Sequence, residues 1–457
     1  MLKIAETIEL TIDSLAYGGE GVGRYENMPV FVCDTAPGDR IRAEITYVKK
    51  NYARAELKEI LEPSKSRIKA ICALSKVCGG CQWAHVNYDE QLRAKKKIVE
   101  DTVRKISGRD IPVHDVKRSD KTLEYRCKIQ YPVGKTKISG RFLAGYYKKG
   151  THEIVNIKFC PVHADIINKI TEFLRTKFQE NNLSAYNESK HKGLIRHVVF
   201  RYSSSSNDLL VIVVINSNTA PESLKKILTE LNDNFQQISG VLINFNNIRS
   251  NTILANDIEL VSGRDYIEES LEGKIYKISA LSFFQINPPS AVKIFNIVRN
   301  IIGERTSKPA ILDVYSGVGS FSVWLKDIAS KITDIEESIC AIEDSKYNLE
   351  VNKTDENVEI EIIEGNADRI LHQLVSENRK FNVIILDPPR KGCSDIALDA
   401  ISKLTEEYII YVSCNPATLA RDIRLLSERG FEAEYIQPVD MFCHTYHIES
   451  IALLKKV

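Results

Sequence analysis

The sequence predicts a three-part protein: a small N-terminal β-barrel, a central α+β region and a C-terminal α/β domain built on a parallel sheet. Three observations predict this. Residues 1–60 alternate apolar and polar positions (Ile8, Leu10, Ile12), break at YGGEGVGRY, and resume at PVFV and RIRAEITYV, the pattern of short strands joined by glycine turns. From Pro309 onward, apolar strands and helices alternate: AILDVYSG, FSVWLKDIA, KITDIEES, SKYNLEVN, EIEIIEGN, FNVIILDPP and YIIYVSCN. Continuously apolar strands in such an alternation imply a parallel sheet covered on both faces. Between these regions lie strand-like runs, GLIRHVVFRYS and DLLVIVVINS, with some helix.

A chain of 457 residues exceeds one comfortable core, and 43% apolar with 27% charged residues is a globular composition. The longest apolar stretches, such as LLVIVVI, fall far short of the roughly 20 residues of a membrane helix. The first ten residues carry neither a basic nor an apolar leader pattern, so a cytoplasmic protein without membrane contact is expected. A monomer is the expected state, although nothing in the sequence fixes the oligomeric state. Ten cysteines in such a chain are expected to be metal ligands, nucleophiles or packing residues rather than a disulfide framework.

In the barrel, Arg40, Arg42, Lys49, Lys50 and Arg54 surround Tyr47 and Tyr52, a composition suited to single-stranded nucleic acid and equally to a charged barrel exterior. The net charge of +1 conceals an asymmetry. Residues 117–150 hold ten Lys or Arg against Asp120 and Glu124, whereas residues 334–368 hold twelve acids against Lys346 and Lys353. The basic stretch suits a polyanion or a solvated face. Within the central region, YDEQLRAKKKIVEDTVRKIS places Leu92, Val99, Val103 and Ile106 on one helical face, which suits an ordinary local helix and also one that packs on a different domain.

The C-terminal strands end in chemistry, and ligands of open parallel sheets sit beyond the carboxyl ends of the strands. In LDVYSGVGSFS a strand ends near Asp313 and Gly317 and Gly319 make a tight turn before a helix, but Ser322 replaces the third glycine of a dinucleotide fingerprint. Glu336, ending the next strand, can accept both hydroxyls of a ribose. Without a pyrophosphate grip, S-adenosylmethionine is favoured over NAD. Asp387 ends a third strand, its backbone fixed by Pro388 and Pro389, with Arg390 and Lys391 beyond.

Cys414 ends the next strand, and Asn415 and Pro416 turn the chain so that the thiol is exposed, beside groups that populate the thiolate. A nucleophile there suits a methyl acceptor that cannot attack unaided. C5 of uracil is one, because thiolate addition at C6 makes C5 nucleophilic. The C5 proton must then be removed, and Glu449 is a candidate base; in a strand it would share a face with His447.

Cys72, Cys78 and Cys81, spaced C-x5-C-x2-C, together with Cys160 before Pro161, suit four-thiolate ligation. The spacing favours a [4Fe-4S] cluster over structural zinc, which more often uses two short knuckles.

Together the glycine turn, DPPRKG, SCNP and the late His-Ile-Glu resemble the RNA uracil-5-methyltransferase family over nearly the whole chain. The resemblance implies a TRAM OB-like RNA-binding barrel (1–60), a central α+β iron-sulfur RNA-binding domain (61–87 and 122–270) and a Rossmann-like methyltransferase domain (88–121 and 271–457). It implies Cys414 as nucleophile and Glu449 as general base. S-adenosylmethionine contacts would fall on Gln285, Tyr315, Ser320, Glu336, Asn366 and Asp387, and the cluster on Cys72, Cys78, Cys81 and Cys160. Ser320 stands where Asn is frequent, and Asn366 where many members carry Asp. Possession of both barrel and cluster resembles the enzymes that modify 23S rRNA; archaeal tRNA enzymes also carry both, so tRNA stays open as the RNA partner.

Overall fold

The computed structural model describes residues 2–353 and 358–457; Asp355 and Glu356 of the acidic stretch lie outside them. In chain order, β1 (Thr7–Leu15), β2 (Gly21–Tyr25), β3 (Met28–Val32), β4 (Arg40–Val48) and β5 (Ala53–Glu62) precede helix α1 (Tyr88–Ser107). Then come β6 (Lys128–Lys135), β7 (Phe142–Ala144), α2 (Asp165–Glu180), β8 (Ile195–Tyr202), β9 (Leu209–Ile215), α3 (Glu222–Asn234), β10 (Ile238–Phe245), β11 (Ile258–Gly263), β12 (Tyr266–Leu271) and β13 (Lys274–Ser279). The C-terminal part alternates α4 (Pro288–Arg305), β14 (Ala310–Val314), α5 (Ser320–Leu325), β15 (Lys331–Glu336), α6 (Ile339–Val351), β16 (Glu359–Glu364) and α7 (Ala367–Ser376). It continues with β17 (Phe381–Leu386), α8 (Asp395–Leu404), β18 (Thr405–Ser413), α9 (Pro416–Ser427), β19 (Phe431–Val439) and β20 (Glu449–Lys456). No helix among the described residues is long and apolar enough to cross a membrane.

The chain packs as two compact units: Met1–Ser119 with Pro388–Cys393 and Tyr411–Val457, and Asp120–Asp387 with Ser394–Ile410. In the first, the five N-terminal strands close a barrel in the order β1-β2-β3-β5-β4. Its core is the set of alternating apolar residues the sequence offered, Ile8, Leu10, Ile12, Val30, Val32, Ile41, Ala43 and Ile45. Outside, Arg40 pairs with Glu62 (2.7 Å) and Glu9 (3.2 Å), and Arg42 with Glu59 and Glu9 (2.9 Å). These two arginines are therefore engaged in a charge ladder across β1, β4 and β5, and Tyr47, Tyr52 and Phe31 with Lys49 form a separate aromatic patch.

Helix α1 belongs to this same unit and packs on α9 and β19. Asn87 caps its start, Gly108 in the left-handed conformation ends it, and Asp89, Glu90, Arg104 and Lys105 complement its dipole. Its buried face is Gln91, Ala94, Lys95, Ile98, Val99, Val103 and Ser107, while Leu92 and Ile106 are only half-buried. The face is thus rotated from the purely apolar one expected, because Gln91 and Lys95 find buried polar partners. The C-terminal strands of the unit are ordered β18-β20-β19.

The second unit carries a six-stranded sheet, β11-β10-β9-β8-β6-β7, whose strand β9 (LLVIVVI) is buried at every position. It also carries the parallel order β16-β15-β14-β17. Asp313 aligns with Asp334 and Val314 with Leu386, so β14, β15 and β17 finish together, as a single ligand edge requires.

Candidate active site

In the second unit, the turn after β14 is built from left-handed residues: Tyr315 (φ 70°), Gly317 (φ 57°) and Gly319 (φ 73°). At Gly319 a Cβ would lie 2.3 Å from Ser345 Oγ, so only glycine lets α5 start there. Glu336 fixes the turn from β15: Gly317 N–H donates to its Oε2 (2.9 Å), and Glu337 and Ser338 N–H donate to Oε1 (2.9 and 2.8 Å). Asn366 caps α7 and sends Nδ2 to Glu337 Oε2 (3.4 Å), which brings it to the same strand ends as Glu336. Ser320 is the first residue of α5, and its carbonyl accepts from Tyr276 OH (3.4 Å).

Gln285 lies on the segment after β13 and donates through Nε2 to Asp387 Oδ2 (3.3 Å). That segment is clamped by buried polar groups. Asp344 of α6 accepts from Ser279 N (2.8 Å), Ser279 Oγ and Ser282 Oγ (both 2.6 Å); Arg201 donates to the carbonyls of Ala280 and Ser282; and Cys127 N donates to Ile286 O (2.9 Å). Burial pushes Asp387 up to about 7 against the opposing Gln285 amide. It pushes Asp334 up to about 7 as well, against the Ser322 hydroxyl that donates to it at 2.6 Å. Burial, then the neighbouring Asp334, Asp387 and Glu336, raise Asp313 well above the carboxylate range. Neither Asp313 carboxyl oxygen has a hydrogen-bond partner among the described residues. Orphaned, crowded acids at a strand edge suit a ligand that brings hydroxyls and positive charge. Asp313 and Asp334 belong to this acid group although the sequence reading did not assign them a role; two acids aligned on neighbouring apolar strands were the available signal.

In the first unit, Cys414 follows β18 directly and is half-buried. Asn415 caps α9 by accepting from Ala417 N (3.1 Å), with Pro416 at the helix start. Asn415 Nδ2 and Thr418 Oγ1 both donate to Arg390 O (3.2 and 3.4 Å), and Arg421 donates to the carbonyls of Lys391 and Cys393. Buried Asp422 accepts from Cys393 N (3.0 Å) and Tyr411 OH (2.6 Å). The PPRKGC segment is thereby stapled to helix α9, which begins two residues after Cys414.

Glu449 is the first residue of β20, pairs with Val439, and is 2% exposed. His447 lies before the strand, so the shared-face expectation does not hold: its N–H donates to Thr445 Oγ1 (3.2 Å) and its ring stands 4.3 Å from that of Tyr446. The turn passes through His444 at φ 63°.

Cys72, Cys78 and Cys81 lie in this unit, in a stretch without helix or strand, and are half-buried. Leu74 N–H points at Cys72 Sγ and Gly80 N–H at Cys78 Sγ, each at 3.4 Å. Cys160 is buried in the second unit. Among the described residues no three His, Cys, Asp or Glu are gathered as a metal-holding group.

A family model described as tRNA (uracil-5-)-methyltransferase matches residues 87–457, and a TRAM domain model matches residues 2–58. The chain is 36% identical over 456 residues to an uncharacterized RNA methyltransferase of Caldanaerobacter subterraneus, covering 100% of this chain and 99% of that one. It is 35% identical over 457 residues to one of Fusobacterium nucleatum, covering 100% and 97%. Among solved structures, Pyrococcus abyssi tRNA (uracil-54, C5)-methyltransferase in complex with S-adenosyl-L-homocysteine superposes with a TM-score of 0.75 at 27% identity, covering 98% of this chain and 100% of that one.

Proposed function

The chain belongs to the tRNA (uracil-5-)-methyltransferase family, S-adenosylmethionine-dependent enzymes that methylate RNA, and from that premise we propose how its residues divide the work. Cys414 Sγ adds to C6 of the target uracil, and C5 takes the methyl group that S-adenosylmethionine supplies. Glu449 removes the proton left on C5, the Sγ–C6 bond breaks, and the C5–C6 double bond returns as 5-methyluridine. The observation that carries this reading is the half-buried cysteine placed directly before the N-cap of α9, in one compact unit with the buried Glu449. The helix start favours an anionic sulfur there. Gln285, Tyr315, Ser320, Glu336, Asn366 and Asp387 are proposed to hold S-adenosylmethionine. The paired amides on Glu336 and the orphaned Asp313 support a ribose and a cationic centre at those strand ends.

The substrate is proposed to be 23S rRNA, with the target base flipped out of its stack, in a cytoplasmic and monomeric enzyme. A tRNA substrate is the second reading, favoured by the full-length similarity to the Pyrococcus abyssi tRNA (uracil-54, C5)-methyltransferase. Transfer of labelled methyl to unmodified 23S rRNA and, side by side, to unmodified tRNA separates the two. Label in neither RNA would overturn the reading.

Cys72, Cys78, Cys81 and Cys160 are proposed as ligands of a [4Fe-4S] cluster. The amides aimed at Cys72 and Cys78 sulfurs stabilise thiolates and support this; Cys160 rests on the sequence pattern alone. Stoichiometric zinc in anaerobically prepared protein, without the brown absorbance of a cluster, would overturn it.

A further inference from the structure

The barrel reaches the catalytic turn through one loop. Between β1 and β2, Tyr17 stands edge-to-face to Tyr446 with ring centroids 5.1 Å apart, and the Tyr446 ring lies 4.3 Å from that of His447, two residues before Glu449. The loop is fastened in place: buried Trp83 donates through Nε1 to Gly19 O (3.1 Å), and Trp83 N donates to His444 O (2.9 Å). One indole residue thus ties the barrel loop to the turn that precedes Glu449. Gly19 has φ 94°, and a Cβ there would lie 2.6 Å from Gln82 Cβ and 3.3 Å from Tyr446 Cδ1, so the close approach depends on glycine. Despite this fastening Tyr17 is 42% exposed. An edge-to-face pair does not stack the two ring faces on each other, so the exposed part of the Tyr17 ring can meet a planar partner. The phenol of Tyr17 lies within electrostatic reach of Arg390, Cys414 and Glu449; burial first, then the Tyr446 phenol and the two catalytic groups, raise it, and only Arg390 opposes them.

We propose that Tyr17 is a nucleobase-stacking residue at the mouth of the methylation site, holding the base that adjoins the target uridine, with Tyr446 as its backing ring. This rests on the reading of Cys414 and Glu449 as nucleophile and base. The more exposed position of Tyr17 fits the neighbouring base rather than the target, because the target must descend to the half-buried Cys414 and the buried Glu449. The barrel then contributes to positioning the target as well as to overall RNA affinity.

The test uses the full-length enzyme and the RNA that accepts methyl, transcribed with 5-fluorouridine in place of uridine. Fluorine on C5 cannot be removed as a proton is, so the Cys414 adduct persists and is counted on a denaturing gel. Tyr17→Leu keeps apolar bulk and loses the π face; its half-saturating RNA concentration for adduct formation is expected to rise roughly 5- to 150-fold, the loss of one base–aromatic stack. Tyr17→Phe is expected to stay within about twofold of wild type on the same scale. S-adenosylmethionine affinity and melting temperature should not change in either variant. Tyr17→Trp should keep affinity, and its added indole fluorescence should be quenched when RNA binds. Wild-type behaviour of Tyr17→Leu, equal loss in Tyr17→Phe, or unquenched indole emission from Tyr17→Trp would each overturn the stacking role while wild-type adduct still upholds Cys414. Absence of adduct in the wild type would overturn the nucleophile reading and this inference with it.

Discussion

Lys95 Nζ lies 2.6 Å from Asp440 Oδ1, and both side chains are completely buried. Tyr88 OH donates to the other Asp440 oxygen (2.8 Å), and Lys95 also donates to Phe442 O (3.0 Å). One turn of α1 away, Gln91 accepts from His444 N (2.9 Å) while its amide donates to Val86 O (2.8 Å). Helix α1 therefore holds the turn that leads to Glu449 through buried polar groups. Replacing Lys95 by Met strands a buried carboxylate and is expected to cost about 3–5 kcal/mol. Denaturant unfolding measures it, and Lys95→Met combined with Asp440→Asn should recover part of the loss.

Cys414→Ala is expected to abolish methyl transfer while S-adenosylmethionine still binds. Glu449→Gln should instead accumulate an RNA adduct that survives denaturing electrophoresis, because release needs the C5 proton removed. Substantial turnover in the first variant, or no adduct in the second, would assign those roles elsewhere.

At Glu336 one carboxylate serves three backbone amides and the proposed ribose contact. Glu336→Gln keeps the size and removes the charge. Charge-assisted hydrogen bonds contribute about 1.5–3 kcal/mol, so affinity for S-adenosylmethionine is expected to fall roughly 10- to 150-fold by calorimetry. RNA affinity measured without the cofactor should not change.

His163 is 1% exposed, and burial lowers its pKa from 6.5 to about 4, opposed by the Ala164 carbonyl. Its Nε2 lies 2.7 Å from Tyr131 OH and its Nδ1 3.1 Å from Ala164 O, and burial disfavours the charged ring. A depressed folded pKa means that the unfolded chain takes up the proton first. This stability is complete above about pH 6.5 and is lost as pH falls toward about 4, by at most about 3 kcal/mol at roughly 1.4 kcal/mol per unit. Melting temperature followed from pH 7 to 4 should fall, and His163→Gln should flatten that slope.

Much of this was legible in the chain itself. The alternating residues of the barrel enclose the core they predicted, and Asp313, Glu336, Asp387 and Cys414 lie within one residue of the ends of β14, β15, β17 and β18, where apolar runs stop. These are local signals: a period of two, a glycine that must adopt positive φ, a helix cap after a strand. The polar face of α1 was not legible, since Gln91 and Lys95 read as solvent residues until their partners some 350 positions away are known. His447 was misplaced for a related reason: the strand begins only at Glu449, after a turn held by Thr445 and His444.

Local patterns in the chain sufficed for the layered architecture and the family, because each depends on a few dozen neighbouring residues; the roles proposed for Cys414, Glu449 and the strand-end acids await the experiments above. The folded molecule was needed to see which arginines of the barrel are engaged with acids, which buried charges hold the turn before Glu449, and that Tyr17 stands against Tyr446. These relations join residues distant in the chain, and no local periodicity encodes the packing that brings them within hydrogen-bond or ring contact.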